Sequence, residues 1–325
     1  MNLLSSKPPI NPGEASRIKI ALIAEGGGQR GIFTAGVLDA WLEEDFDPFD
    51  LFIGTSSGSQ NITSFLSRQK GYAERLISEL SRRKRFYQLG RGLLGGNVVD
   101  LDWYFDETIQ GIFALDFTAA TKSLGQRELL ITATNSRDRQ GYFLSPKGDI
   151  NNWRQLLKAS SALPFLYKQG VKLTLRLTAS SANQVEASSD YPQADFYLDG
   201  GLAAPLPVSE AYRRGARKII VIRTVNSDLH TQSAWVRNLK SWVYESGYCP
   251  KIIGYLVQHE HAYQQELTFI DNPPEDVEII QIFAKDNLQS KLLSSTYIDL
   301  QHDYRAGIAA GNAFLQDDKE SVLKL

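Results

Sequence analysis

Several things are scarce in this 325-residue chain, and each scarcity narrows what it can be. A single cysteine, Cys249, leaves no internal disulfide, which fits either a reducing compartment or a core that needs no covalent staple. No run of 18 apolar residues occurs, so a transmembrane helix is excluded on length and any membrane contact would be peripheral. Excess charge is missing too. Lys+Arg 35 against Asp+Glu 37 gives a net charge of -2, without the basic footprint of a general nucleic-acid binder, so an anionic partner must be met locally. The opening MNLLSSKPPINPGEAS has only a short apolar piece before Lys7, lacks the apolar core of a secretory signal and reads as a flexible arm over residues 1–17.

What is present belongs to an ordinary globular chain. Hydrophobic residues at 42% and charged residues at 22% lie near the usual ~45–50% and ~25%. The length allows one or two domains of ~150 residues, and a single domain over 18–325 is preferred. It divides into a motif-bearing core, 18–224, and a mainly helical part, 225–325. Ile18 to Ala24 is a continuous aliphatic run of the kind buried on both faces of a parallel sheet. It ends in Glu25-Gly26-Gly27-Gly28-Gln29-Arg30-Gly31, after which Val37, Leu38, Trp41 and Leu42 fall at helical spacing. A second run, Phe49 to Ile53, meets Gly54-Thr55-Ser56-Ser57-Gly58 and then a helical stretch to about Arg68, repeating strand, glycine turn and helix.

Further helices are expected at Tyr72–Tyr87, Trp153–Ser161 and Tyr297–Leu315. Strands are expected at Glu128–Thr134, Gly141–Ser145, Lys218–Thr224 and Val277–Phe283. The alternating VKLTLRL is followed by a Ser/Ala/Asn/Gln-rich stretch, Thr178 to Asp195, with the composition of a surface insertion. Alternation of strands and helices predicts an α/β fold: three layers, α/β/α, around a mainly parallel central sheet.

Two motifs carry chemistry. Gly54 to Gly58 reads G-x-S-x-G between a buried strand and a helix, the setting in which a sharp turn lifts a serine hydroxyl, here Ser56, above the sheet edge. The following helix directs its N-terminal amides at an oxyanion formed there. Gly26, Gly28 and Gly31 also match the dinucleotide pattern G-x-G-x-x-G, which asks for an acid at the end of the second strand. That strand ends in GTSSG instead. The competing use of the same glycines is a set of bare amides facing a carbonyl oxygen, each donor worth roughly 2.7–4 kcal/mol in the transition state. A tight turn without any ligand is the bland alternative.

A serine nucleophile needs a base, and only four histidines exist: His230, His259, His261 and His302. His259-Glu260-His261 places its imidazoles on different sides of a helix and lacks the H-E-x-x-H zinc spacing, so solvated helix positions are expected for them. Asp199, delivered by Phe196-Tyr197-Leu198 and followed by Gly200-Gly201, is the alternative base; an ordinary Asp-Gly turn is the alternative to that.

EGGGQRG, GTSSG and YLDGG, in this order, resemble the three signature motifs of the patatin-like phospholipases, and ASSALPFLY at Ala159–Tyr167 resembles a further block of that family. The resemblance spans roughly Ile18 to Thr224 and is nearest to the bacterial stand-alone members. It implies a serine acyl hydrolase acting on phospholipids or lysophospholipids without cofactor or metal, with Ser56 and Asp199 as a Ser-Asp dyad. Gly26, Gly27 and Gly28 would form the oxyanion loop, with Arg30, Gly31, Gly54, Gly58, Gly200 and Gly201 supporting the motifs. Ser57 departs from the family's usual alanine, and the stretch before Asp199 is longer than usual. Acting as a base at neutral pH would require Asp199, ordinarily near pKa ~3.9, to be raised by burial and bonded directly to Ser56. A dinucleotide binder and an idle patatin-like regulatory protein are the other functional classes.

Trp103, Tyr104, Phe105, Phe113, Phe165, Leu166 and Tyr167 could line an acyl site, although aromatics in such numbers more often build core. Arg82-Arg83-Lys84-Arg85 reads first as a solvated helix end and second as a contact for anionic lipid heads. A cytoplasmic location, peripheral to the inner membrane surface at most, is expected.

Overall fold

A computed structural model describes residues 18–146, 150–177, 184–186, 193–225 and 250–323. The arm over 1–17 and most of the Thr178–Asp195 stretch lie outside them. The described strands are β1 (Lys19–Ala24), β2 (Leu51–Gly54), β3 (Glu128–Asn135), β4 (Gly141–Ser145), β5 (Val171–Leu177), β6 (Gln184–Glu186), β7 (Gln193–Asp199), β8 (Ala216–Ile222) and β9 (Glu278–Ile282). The helices are α1 (Gly31–Glu43), α2 (Ser57–Leu66), α3 (Tyr72–Ser78), α4 (Leu89–Leu93), α5 (Leu101–Glu107), α6 (Phe117–Leu124), α7 (Ile150–Ser160), α8 (Val208–Arg213), α9 (Pro250–Asp271), α10 (Tyr297–Asp317) and α11 (Lys319–Leu323).

One sheet runs β4-β6-β5-β7-β3-β2-β1-β8-β9. From β3 through β2, β1 and β8 to β9 every pairing is parallel. Beyond β3 it turns mainly antiparallel, with β7 and β4 both paired to β3. The aliphatic run of β1 explains the layering. Ile20, Leu22 and Ala24 face one core, shared with Phe33, Val37 and Trp41 of α1 and Trp153 of α7. Ala21 and Ile23 face the other, shared with Val208 of α8 and Tyr263, Leu267 and Ile270 of α9. A strand apolar on both sides is buried on both sides, as the unbroken run predicts. The result is the expected α/β/α sandwich.

Helix α1 is buried from Gly31 to Trp41 rather than along one stripe, because α10 covers its outer side. The two helices approach backbone to backbone: a Cβ on Gly36 would overlap the Tyr304 carbonyl, and one on Gly307 the Phe33 carbonyl. Trp41 closes the lower end against Phe46, Phe49 and Phe314.

Two expectations are revised. The helix over Tyr72–Tyr87 stops at Ser78; a short 3-10 turn spans Leu80–Arg82 and the chain is extended at Arg83. Ser81 Oγ donates to the Ile77 carbonyl while accepting from Gln29 Nε2, and Phe86 turns inward against Tyr104, so tertiary partners outbid helical continuation. Within the presumed surface insertion, Gln184–Glu186 pairs with β4 and β5, and Gln193 onward already belongs to β7.

Candidate active site

The turn after β2 places Ser56 at φ 52, ψ -124, a strained conformation for a residue with a side chain. What holds it there is close packing of the flanking residues. A Cβ on Gly54 would collide with Ser59 Cα, and one on Gly58 with the Ala24 carbonyl, so β2 can double back into α2 only with glycine at both ends of the turn. Thr55 Oγ1 donates to the Ala204 carbonyl at 2.9 Å, and the Ser56 amide donates to Ser160 Oγ at 2.9 Å.

Asp199 ends β7, where its register partner on β3 is Ala133. Its own amide donates to the Ala162 carbonyl at 2.9 Å, so the corner Ser160–Ala162 fixes both Ser56 and Asp199. This is a structural task for ASSALPFLY that its composition does not disclose. The Asp199 carboxyl is 2% exposed. Its Oδ2 accepts from Ser56 Oγ at 2.8 Å, and its Oδ1 from the Gly201 amide at 2.8 Å. Burial pushes its pKa up to about 7, with the hydrogen bonds from Gly201 and Ser56 pulling the other way. Gly200 sits against Thr132, with no room for a side chain.

The glycine loop lies beside this pair. Gly26 packs on Thr55 and Ser56, Gly27 on Thr224, and Gly31 on Ser57. Gly28 has φ +59, and a Cβ there would overlap the Leu292 carbonyl, which accepts the Gln29 amide at 3.0 Å. Among the described residues, the amides of Gly26, Gly27, Gly28 and Ser57 find no protein acceptor. Gly26, Gly27 and Gly28 share the wall of one cavity with Ser56 and Asp199.

Two cavities meet at Ser56 and Asp199. The larger holds about 760 Å³ of empty space, mouth included, and its wall is chiefly apolar: Leu76, Ile77, Phe86, Leu101, Leu163 and Leu166 among others. That lining suits a hydrocarbon chain. Tyr104 reaches it, donating to Gln60 Oε1 at 3.1 Å, whereas Phe105 and Phe113 are core residues as the burial preference anticipates. The smaller, about 490 Å³, has Glu25, Arg30, His259 and Tyr263 in its wall beside the three loop glycines. Burial pulls the Arg30 guanidinium below its ordinary value, opposed by the charge of Glu25.

His259 overturns its expected solvated position. It is 4% exposed because this face of α9 packs on the Asp199-Gly200-Gly201 turn. Its Nδ1 lies 2.5 Å from the Gly201 carbonyl; a carbonyl only accepts, so Nδ1 carries the proton. Burial lowers its pKa to about 4, opposed by that hydrogen bond. A hydrogen-bonded line thus runs His259, Gly201, Asp199, Ser56. His302 touches Asp303 and His261 is exposed, and neither lines the two cavities at Ser56. His230 lies outside the described residues. The rows of glycines and the acid were visible as motifs; Ser160, His259 and Leu292 carried no local signal.

A family profile described as patatin-like phospholipase matches residues 22–212, and one described as a domain of unknown function (DUF6363) matches residues 249–322. The uncharacterized protein YjjU of Escherichia coli K12 is 35% identical over 308 residues, covering 94% of this chain and 78% of that protein. Among solved structures, VipD from Legionella pneumophila aligns at 12% identity and TM-score 0.42, over 93% of this chain and 67% of VipD. Human GIVD cytosolic phospholipase A2 aligns at 12% identity and TM-score 0.43, over 94% of this chain and 59% of the human one.

Proposed function

The chain belongs to the patatin-like phospholipase family, a family of lipid hydrolases, and from that premise we propose that it is a serine acyl hydrolase of phospholipids or lysophospholipids working through Ser56 and Asp199. The observation that carries this reading is the 2.8 Å hydrogen bond from Ser56 Oγ to a buried carboxyl, beside unpartnered glycine amides. Burial raises the Asp199 carboxyl to about 7, which makes it a more useful base at neutral pH than a solvated aspartate.

Ser56 Oγ attacks the ester carbonyl carbon as its proton moves to Asp199 Oδ2. The oxyanion of the tetrahedral intermediate is held by the amides of the Gly26–Gly28 loop, with the N-terminus of α2 behind it. Collapse breaks the bond to the alcohol, which leaves with the proton from Asp199, and the acyl chain remains on Ser56 in the apolar cavity. Water then attacks the acyl-enzyme, giving its proton to Asp199; collapse breaks the bond to Ser56 Oγ, which takes that proton back, and the fatty acid departs. The smaller cavity, with the Arg30 guanidinium in its wall, takes the glycerol and head group. No step calls for a cofactor.

We read residues 18–325 as one unit, because Leu292 and His259 from the C-terminal part complete the site built by the motifs. Its setting in this reading is the cytoplasm; no described helix is long and apolar enough to cross a membrane. The test is hydrolysis of a lipid panel by wild type and Ser56→Ala. Release of fatty acid by the wild type alone supports the reading. Absence of turnover on every ester would leave the idle regulatory class, and a melting shift with NAD would point to the dinucleotide class.

A further inference from the structure

One stretch beside the site without a carboxylate runs from Leu80 to Val99, and it contains Arg82, Arg83, Lys84, Arg85 and Arg91. The four consecutive cations are exposed: Arg82 closes the short 3-10 turn, and the chain is extended at Arg83. The loop that follows is firmly built. Arg91 Nη2 donates to the carbonyls of Arg85, Phe86 and Val98, the Gln88 amide donates to the Val98 carbonyl, and the Val98 and Val99 amides donate to the Leu166 carbonyl. At the tip of this braced loop, Leu93 and Leu94 are 89% and 91% exposed. A structured loop that holds two leucines in water has a use for them.

Other exposed apolar side chains border the same cations. Arg82 stacks over Tyr297, next to the exposed Ile298, and Arg83 over Phe113, next to the exposed Ile112. The inner sides of these segments belong to the apolar cavity: Phe86 and Val99 from the loop, Leu292 and Leu293 from the segment before Tyr297. One face of the molecule therefore joins cations, protruding hydrocarbon and the wall of the chamber that contains Ser56.

We propose that this face, centred on Arg82–Arg85 with Leu93 and Leu94 at its tip, docks on an anionic phospholipid bilayer. The leucines enter the acyl boundary while the cations meet the head groups, each contact of its own kind and together the two signals that stable peripheral binding needs. The proposal rests on the hydrolase reading only for its purpose, to bring the chamber mouth to a lipid source. The docking chemistry stands by itself.

The test separates binding from turnover. Ser56→Ala protein is sedimented with vesicles of phosphatidylglycerol and phosphatidylcholine, and with phosphatidylcholine alone. Binding to the anionic vesicles is expected, falling about ten-fold or more in Leu93→Glu/Leu94→Glu and in Arg83→Glu/Lys84→Glu. Turnover of a soluble short-chain ester by the same variants with Ser56 restored is expected to stay unchanged, which also shows that they fold. Equal binding to both vesicle types, unchanged binding by the variants, or no binding at all overturns the proposal. So does a leucine-pair variant that instead converts a dimer to a monomer, since the face would then belong to a second copy. Vesicle binding without lipid hydrolysis refutes the hydrolase reading and leaves the face; hydrolysis of dispersed lipid without vesicle binding does the reverse.

Discussion

Replacing Asp199 by asparagine should make the protein more stable at alkaline pH while removing its activity. A carboxyl with a pKa near 7 when folded and about 3.9 when unfolded holds its proton in the native state over a range where the unfolded chain has lost it. The native state is therefore favoured below about pH 3.9 and loses stability as pH rises to about 7. The full difference of roughly three pKa units corresponds to about 4 kcal/mol. Asparagine keeps the shape and can still accept from Gly201 and face Ser56, but it carries no charge to desolvate. We expect Asp199→Asn to gain about 2–4 kcal/mol over wild type at pH 8 and little at pH 4, measured by urea unfolding at a series of pH values. Ester turnover should fall about 10²–10⁴-fold. An asparagine variant that is no more stable than wild type at pH 8, or whose gain does not grow between pH 4 and 7, would refute the claim that this carboxyl is strained by burial. Retained turnover would refute its role as base.

Three further outcomes follow from the geometry. Ser56→Ala should fold, as judged by circular dichroism, and fail to react with a fluorophosphonate probe that labels the wild type stoichiometrically. Gly28→Ala must take φ +59 and push against the Leu292 carbonyl, so it should lose about 2–4 kcal/mol in urea unfolding together with turnover. His259→Ala leaves the half-buried Gly201 carbonyl without its donor; kcat should fall about ten-fold at unchanged KM, with His259→Asn, whose amide can donate from the Nδ1 position, restoring most of it.

The parts of the site that a reader of the sequence can find are those whose cause is local. β1 and β2 are apolar on both faces and each stops at glycines, so strand, turn and helix follow from a dozen neighbouring residues. That Ser56 and Asp199 touch follows less directly, through the resemblance of three ordered motifs. Neither position predicts its partner 143 residues away. What stays hidden is decided by packing between distant segments. His259 looks like any polar position on α9 until that helix lies on the Gly201 turn. Residues 79–87 have helical periodicity and lose it to contacts with Gln29 and Tyr104. Leu93 and Leu94, at the end of α4, are apolar side chains that stand in water in the fold.

The Leu292 carbonyl pressed on Gly28 has a practical corollary. Gln29 is also tied to that neighbourhood, since the Ser295 amide donates to its side chain at 2.8 Å. The segment that braces the glycine loop thus arrives some eighty residues downstream of position 212, where the match to the family profile ends. A fragment trimmed to the recognisable motifs would retain every signature letter and lose the clamp that keeps them in working order. Any grafting, shuffling or domain-dissection effort on this chain has to move positions 26–31 and 290–296 as a matched set.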